Sequence, residues 1–160
     1  MKSLVIFDSF FHNTEAIARQ VADGLGARAV QFEDASLADL QGLDLLVVGS
    51  PTQRFGPTDE LVRFLEALPA GSLKGTRVAA FDTRMDTNVI RNWLFRVIVK
   101  LGGFAAPKLQ ARLAKAGAVP AFGSNGFWVT GQEGPLMDGE LERARQWGAS
   151  MLAGEGSQRS

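Results

Sequence analysis

The chain has 160 residues, 46% of them apolar and 21% charged, the mix of one globular domain rather than of a disordered or fibrous chain. Lys and Arg together number 17, as do Asp and Glu, so no global field argues for nucleic acid or an anionic membrane as partner. The absence of cysteine excludes disulfides, thiol catalysis and Cys-ligated metals, and a single histidine leaves little for zinc.

In chain order, Leu4-Val5-Ile6-Phe7 is continuously apolar, as a central parallel strand covered on both faces should be. Asp8 ends that run far short of a signal-peptide core or a membrane span, so the expected location is cytoplasmic. Ile17, Val21 and Leu25 fall four apart and predict a helix over Asn13–Leu25, with Gly26 placed to cap it. Ala27–Phe32 predicts a more polar edge strand, and Ser36 with Asp39 resembles a capping box. Asp44–Gly49 is a third strand. Thr58 is placed to cap a helix whose buried stripe is Leu61, Phe64, Leu65 and Leu68.

Arg77–Phe81 reads as the fourth strand. Ile90, Trp93, Leu94, Val97, Ile98 and Leu101 form the cleanest helical stripe in the chain, expected to be core, and Gly102-Gly103 stops it. Pro107–Ala116 predicts a further helix capped by Gly117. Ala118–Phe122 and Phe127–Val129 predict a fifth strand interrupted by the turn Gly123–Gly126. A last helix starts at Asp138 with Leu141, Ala144, Gly148, Met151 and Leu152 on one face. One domain over residues 1–153 is expected, with residues 154–160 as a flexible C-terminal tail. Strands alternating with helices imply an α/β fold: a parallel sheet, right-handed crossovers and helices on both faces.

In such a sheet ligands bind beyond the carboxyl ends of the strands. The first strand-end loop, Ser9–Thr14, runs straight into a helix N-terminus, whose unpaired amides and positive dipole end suit an anion. Ser9, Asn13 and Thr14 add short donors; capping of the helix by Asn13 or Thr14 is the plainer reading of the same residues.

This loop resembles the phosphate loop of flavodoxins, Thr/Ser-x-Thr/Ser-Gly-Asn-Thr, directly after the first strand. Gly49–Thr58 is similar to the flavodoxin loop over one face of the flavin ring, and Ala80–Met85 to the loop on the other side. Gly131–Leu136 followed by Gly139–Ala144 resembles the closing segment of a bacterial flavodoxin-like subgroup. The resemblance covers residues 1 to about 152. It implies a three-layer α/β/α sandwich with a five-stranded parallel sheet of order 2-1-3-4-5, and FMN as cofactor. It further implies a site made of Ser9, Phe10, Phe11, His12, Asn13 and Thr14 from the first loop. Pro51, Thr52, Gln53, Arg54, Phe55 and Gly56 come from the second, and Thr83, Arg84, Met85 and Asp86 from the third.

Two residues depart from the family pattern: Phe11 stands at a hydroxyl position and His12 at the glycine. A non-Gly residue in the left-handed region costs about 1–2 kcal/mol, which would weaken FMN affinity by something like tenfold. The His12 imidazolium beside a phosphate would add a charge-assisted donor; a surface side chain pointing away is the other reading. In a chain without tyrosine, Phe55, Met85 and Trp93 are the available replacements to stack on the ring, Phe55 the first choice; Trp93 lies on the helical stripe and, like Trp128 and Trp147, is expected in the core. Arg84 is expected near the pyrimidine end of the flavin, and the Phe55–Gly56 peptide as the place where a carbonyl turns toward the ring.

The function implied is a low-potential electron carrier serving a redox partner protein, as monomer or homodimer, with no catalytic residue and no metal of its own. An FMN-dependent NAD(P)H:quinone-type reductase, and a flavodoxin-fold interaction module that no longer binds FMN, are the alternatives. No Gly-x-Gly-x-x-Gly, Walker-type loop or nucleophile elbow is present. A response-regulator reading fails because Asp8 stands alone and the third strand ends in Gly49-Ser50.

Overall fold

A computed structural model of the protein describes residues 1–86 and 92–158. Strand β1 (Ser3–Phe7) leads into helix α1 (Asn13–Leu25), then β2 (Arg28–Gln31), the short α2 (Leu37–Leu40), β3 (Leu45–Pro51) and α3 (Asp59–Glu66). There follow β4 (Arg77–Met85), α4 (Trp93–Gly102), α5 (Ala105–Lys115), β5 (Val119–Pro120), β6 (Asn125–Val129) and α6 (Glu140–Gln158). The sheet is parallel in the order β2-β1-β3-β4-β5, with β6 pairing farther along β4. The order expected from the resemblance is met, and the interrupted fifth strand is two pieces on one neighbour.

Both faces of the sheet are covered, which is why its central strands read as unbroken apolar runs. Leu4, Ile6, Leu46, Val48, Val78 and Ala80 point to one side, where Leu61 and Leu65 of α3 and Leu109 and Leu113 of α5 cover them. Val5, Phe7, Leu45, Val47, Ala79 and Phe81 point to the other, against Ile17, Val21 and Leu25 of α1 and Met151 of α6. Helices α1 and α6 approach so closely that a Cβ on Gly24 would collide with the Arg145 carbonyl oxygen, and one on Gly148 with that of Val21. Phe81, Phe127 and Trp147 meet edge to face, so Trp147 packs against the core as expected.

Local signals behave as their chemistry demands. Gly26 caps α1 with φ 70°, and the Ser36–Asp39 capping box is complete. Thr58 precedes α3 but does not cap it with its side chain; its hydroxyl donates instead to the buried Asp8 Oδ2 at 2.6 Å.

The α4 stripe is the main correction. Trp93, Leu94, Val97, Ile98 and Leu101, expected in the core, are all exposed, Trp93 at 71% and Leu101 at 82%. Helical periodicity defines an apolar face, and no other element of the described chain comes over this one. Ile90 lies outside the described residues. On α6, Met151 and Ala144 are buried while Leu141 and Leu152 are exposed, and the helix continues through Gln158, across most of the segment expected as a tail.

Candidate functional site

Three loops meet at the carboxyl ends of β1, β3 and β4. Asp8, just past β1, is buried and accepts from Thr58 Oγ1 and, at 3.0 Å, from Gln31 Nε2. It therefore ties β1 to β2 and to the start of α3, and positions the first loop without facing a ligand.

The first loop turns into α1 at His12, which has φ 65° and ψ 0°. This is the left-handed conformation expected of the residue in the glycine place. The Ser9 hydroxyl accepts from the Glu15 amide at 3.2 Å, and the Ala16 amide bonds the His12 carbonyl. The Asn13 and Thr14 amides head the helix with no intrahelical partner. Asn13 Nδ2 donates to the Glu133 carbonyl at 3.0 Å, and a Cβ on Gly134 would press on the Asn13 side chain. The closing segment thus packs directly on the first loop. The Thr14 and Thr83 hydroxyls are bonded at 2.8 Å, joining the first and third loops.

The second loop folds back on itself: Gln53 and Gly56 exchange amide–carbonyl bonds of 2.7 and 2.8 Å across Arg54 (φ 45°) and Phe55 (φ 65°). Two residues with positive φ between a reciprocally bonded pair make a type I′ turn. The strained dihedrals sit at Arg54 and Phe55, one position earlier than the glycine expected to absorb them. Lys108 Nζ holds the tip by donating to the Phe55 and Gly102 carbonyls. The Thr52 amide donates to the Thr83 carbonyl at 2.9 Å, and the Thr52 hydroxyl accepts from the Ala105 amide at 3.1 Å.

Asp82 completes this joint. Its carboxylate is fully buried, takes both guanidinium contacts of Arg84 at 2.5 and 2.6 Å, and accepts from the Ala106 amide at 2.8 Å. Burial pushes the Asp82 carboxyl up from its ordinary value against the pull of Arg84 and the Ala106 amide. Arg84 lies 3.8 Å over the Phe104 ring, and a Cβ on Gly126 would collide with its guanidinium. Its charge is thus committed to Asp82.

Between these loops lies a cavity of about 460 Å³. Ser9, Phe10, Phe11, Asn13 and Thr14 line it from the first loop, Pro51, Thr52, Gln53 and Arg54 from the second, and Thr83, Arg84 and Met85 from the third. Four expected residues stand elsewhere. His12 points outward, its side chain 88% exposed and 3.0 Å from Glu15. The Phe55 ring packs on Gly102 and lines an adjoining recess with Thr52, Arg54, Arg84, Met85 and Phe95. Gly56 faces the neighbouring groove beside Lys108, and Asp86 does not line the cavity. Phe95, Val129 and Gln132 do line it. Gln132 falls in the closing segment already noted in the sequence; Phe95, which lies off the α4 stripe, gave no signal there.

One end of the cavity therefore offers first-turn amides and small hydroxyls. Along its walls Phe10, Met85 and Phe95 remain substantially exposed, an apolar surface suited to a flat ring. The residues present fit a ligand that carries an anion at one end and a planar, partly apolar group at the other, as FMN does. Among the described residues no group of His, Asp or Glu is arranged to hold a metal ion, and no helix is long and apolar enough to cross a membrane.

The fold and this strand-end cavity define a doubly wound α/β domain of the mononucleotide-binding kind. Residues 5–86 match the model of the flavodoxin family, a span that holds all three loops. The chain belongs to the flavodoxin family, whose cofactor is FMN. No curated protein matches it. Among solved structures it is similar to a flavodoxin from the domain Archaea, with a TM-score of 0.71 and 19% identity over 94% of this chain and 95% of that one. It is also similar to a flavodoxin, WrbA-like protein from Agrobacterium tumefaciens (TM-score 0.67, 23% identity, 99% and 98% covered). The flavodiiron core of Flv1 from Synechocystis matches with a TM-score of 0.68 and 17% identity, over 98% of this chain but 36% of that one.

Proposed function

We propose that this protein holds FMN non-covalently in the strand-end cavity and serves as a low-potential electron carrier to a redox partner protein in the cytoplasm. The observation that carries this reading is the pairing of free first-turn amides of α1 with the exposed Phe10, Met85 and Phe95 walls of one cavity. Bound FMN would supply the electron-transfer chemistry itself.

The chain's own residues bind and orient. The Asn13 and Thr14 amides, with the Ser9 and Thr14 hydroxyls, are the donors for the phosphate. The Thr14–Thr83 bond fixes that end relative to the third loop. Met85 and Phe95 are the side chains for the ring, with Phe55 beside them in the adjoining recess. Pairing of Arg84 with Asp82 limits its attraction for an electron-rich reduced ring, consistent with a low potential.

The test is the visible spectrum of the purified protein before and after addition of FMN and dialysis, followed by incubation with NADH or NADPH. Flavin bands that survive dialysis, with no nicotinamide consumption, are expected. A colourless protein that takes up no FMN would overturn the reading in favour of an interaction module. Steady nicotinamide consumption with a quinone would make the protein a reductase.

A further inference from the structure

Among the described residues the charged side chains that line the cavity are Arg54 and Arg84, and they are built differently. Arg54 is exposed at the tip of the second loop, where solvent and salt screen its charge. Arg84 is only 14% exposed. Its guanidinium lies 3.8 Å from the centre of the Phe104 ring and 5.7 Å from that of Trp128, and it fills the space that a side chain on Gly126 would need. Nε and Nη2 both donate to the Asp82 carboxylate, whose Oδ2 also accepts from the Ala106 amide. This side-on pairing uses one edge of the planar fork and leaves Nη1 with no partner among the described residues. The ion pair is thus a fixed dipole. Its negative end is fully buried, and its positive end lines both the cavity and the recess beside Phe55.

We propose that Arg84 is the specificity-determining donor for the ring of the bound ligand, giving Nη1 to a ring-edge carbonyl oxygen, with Asp82 the positioning residue that aims it. The inference rests on the reading of the cavity as an FMN site and adds which atom of the chain addresses the ring. The ligand class selected is a planar ring that carries carbonyl oxygens along one edge and gains negative charge on reduction. A ring without such an edge would leave the donors of a largely buried cation unpaired. Because Asp82, Phe104 and Gly126 already hold the guanidinium, little side-chain freedom is lost on binding. Asp82 also offsets most of the guanidinium charge, so the pull on an electron-rich ring is graded rather than large.

The experiment measures, on the full chain, the affinity for oxidised FMN by fluorescence quenching and the two-electron midpoint potential of bound FMN by dye-coupled titration. Asp82→Asn keeps the side-chain shape and removes the offsetting charge. It should favour reduced over oxidised FMN about tenfold, a rise in midpoint of about 30 mV. Removing one member of a buried pair destabilises a fold, whereas neutralising both is better tolerated, so the second variant carries Asp82→Asn and Arg84→Gln together. This double variant loses the donor and should lower the same ratio about threefold below wild type. Far-UV circular dichroism checks that each variant folds, and the double variant decides alone if the single one does not. A pair that serves folding only would weaken both forms of FMN alike and leave the midpoint at its wild-type value. An unmoved midpoint in the double variant, or shifts of the same sign in both variants, overturns the inference while the wild-type flavin bands keep the FMN reading. A wild-type protein that takes up no FMN overturns both.

Discussion

Helices α1 and α4 carry similar sequence signals and meet opposite fates. Both have apolar residues repeating at helical spacing, and that of α4 is the more regular. In α1, Ile17, Val21 and Leu25 are sealed between the sheet and α6; in α4 the equivalent stripe faces outward. The difference lies in what the rest of the chain provides. Gly24 and Gly148 let α6 close over α1 to backbone contact, whereas α4 begins beyond the last residue of β4 and meets the body through Gly102 against Phe55 and Lys108 and through Phe95 at the cavity wall. Periodicity states that a face exists; only tertiary contacts state what covers it.

The sharpest way to break this comparison is to truncate one residue on each stripe. Ile17→Ala should cost about 2–5 kcal/mol, and Leu94→Ala should stay within about 0.5 kcal/mol, both read from urea denaturation midpoints. Equal losses would mean that α4 is covered in solution. Next in size is the pair of close approaches. Gly148→Ala forces a Cβ onto the Val21 carbonyl of a packed helix and should cost about 1–3 kcal/mol. Gly102→Ala drives a Cβ onto the Phe55 ring and Cβ, on a turn that the Gln53–Gly56 bonds hold, and should cost about as much.

The smallest effect concerns how α6 is anchored. Glu140 accepts from the Trp128 amide at 2.7 Å and pairs with Arg143, which also reaches Asn125 and the Gly126 carbonyl. Burial pushes the Glu140 carboxyl up, but Arg143 and the Trp128 amide outweigh it, and the group titrates below its ordinary value of 4.5. A carboxyl lowered by folding adds stability at pH above that ordinary value and loses it as pH falls through the folded pKa. Denaturation midpoints should therefore drop in that acid window, and Glu140→Gln should flatten the drop. An unchanged profile would show that the pair does not hold α6 to β6.

Much of the site was legible because its chemistry is local. Ser9, Asn13 and Thr14 sit where a strand end meets a helix start, and that juxtaposition can be read from a dozen residues. The left-handed backbone of His12 was legible too, but its side chain turned to Glu15, a neighbour one helical turn on. Phe95 at the cavity wall and the packing of Phe55 on Gly102 could not be read, since both depend on where α4 sits relative to the second loop. Asp82 was hidden for another reason: inside an apolar strand it looks like an interruption, and only the fold shows it serving Arg84 and the start of α5 at once. The extension of α6 past Gly154 runs against the poor helix propensity of glycine.

The divided edge of the sheet has a practical consequence. Val119–Pro120 and Asn125–Val129 grip separate stretches of β4, so the edge is two independent clasps rather than one zip. Gly123 and Ser124 between them are exposed, and a Cβ on Gly123 meets nothing. New chain ends or a grafted domain introduced at that joint would leave both clasps closed, which makes it the natural seam for rewiring this protein into a larger electron-transfer assembly.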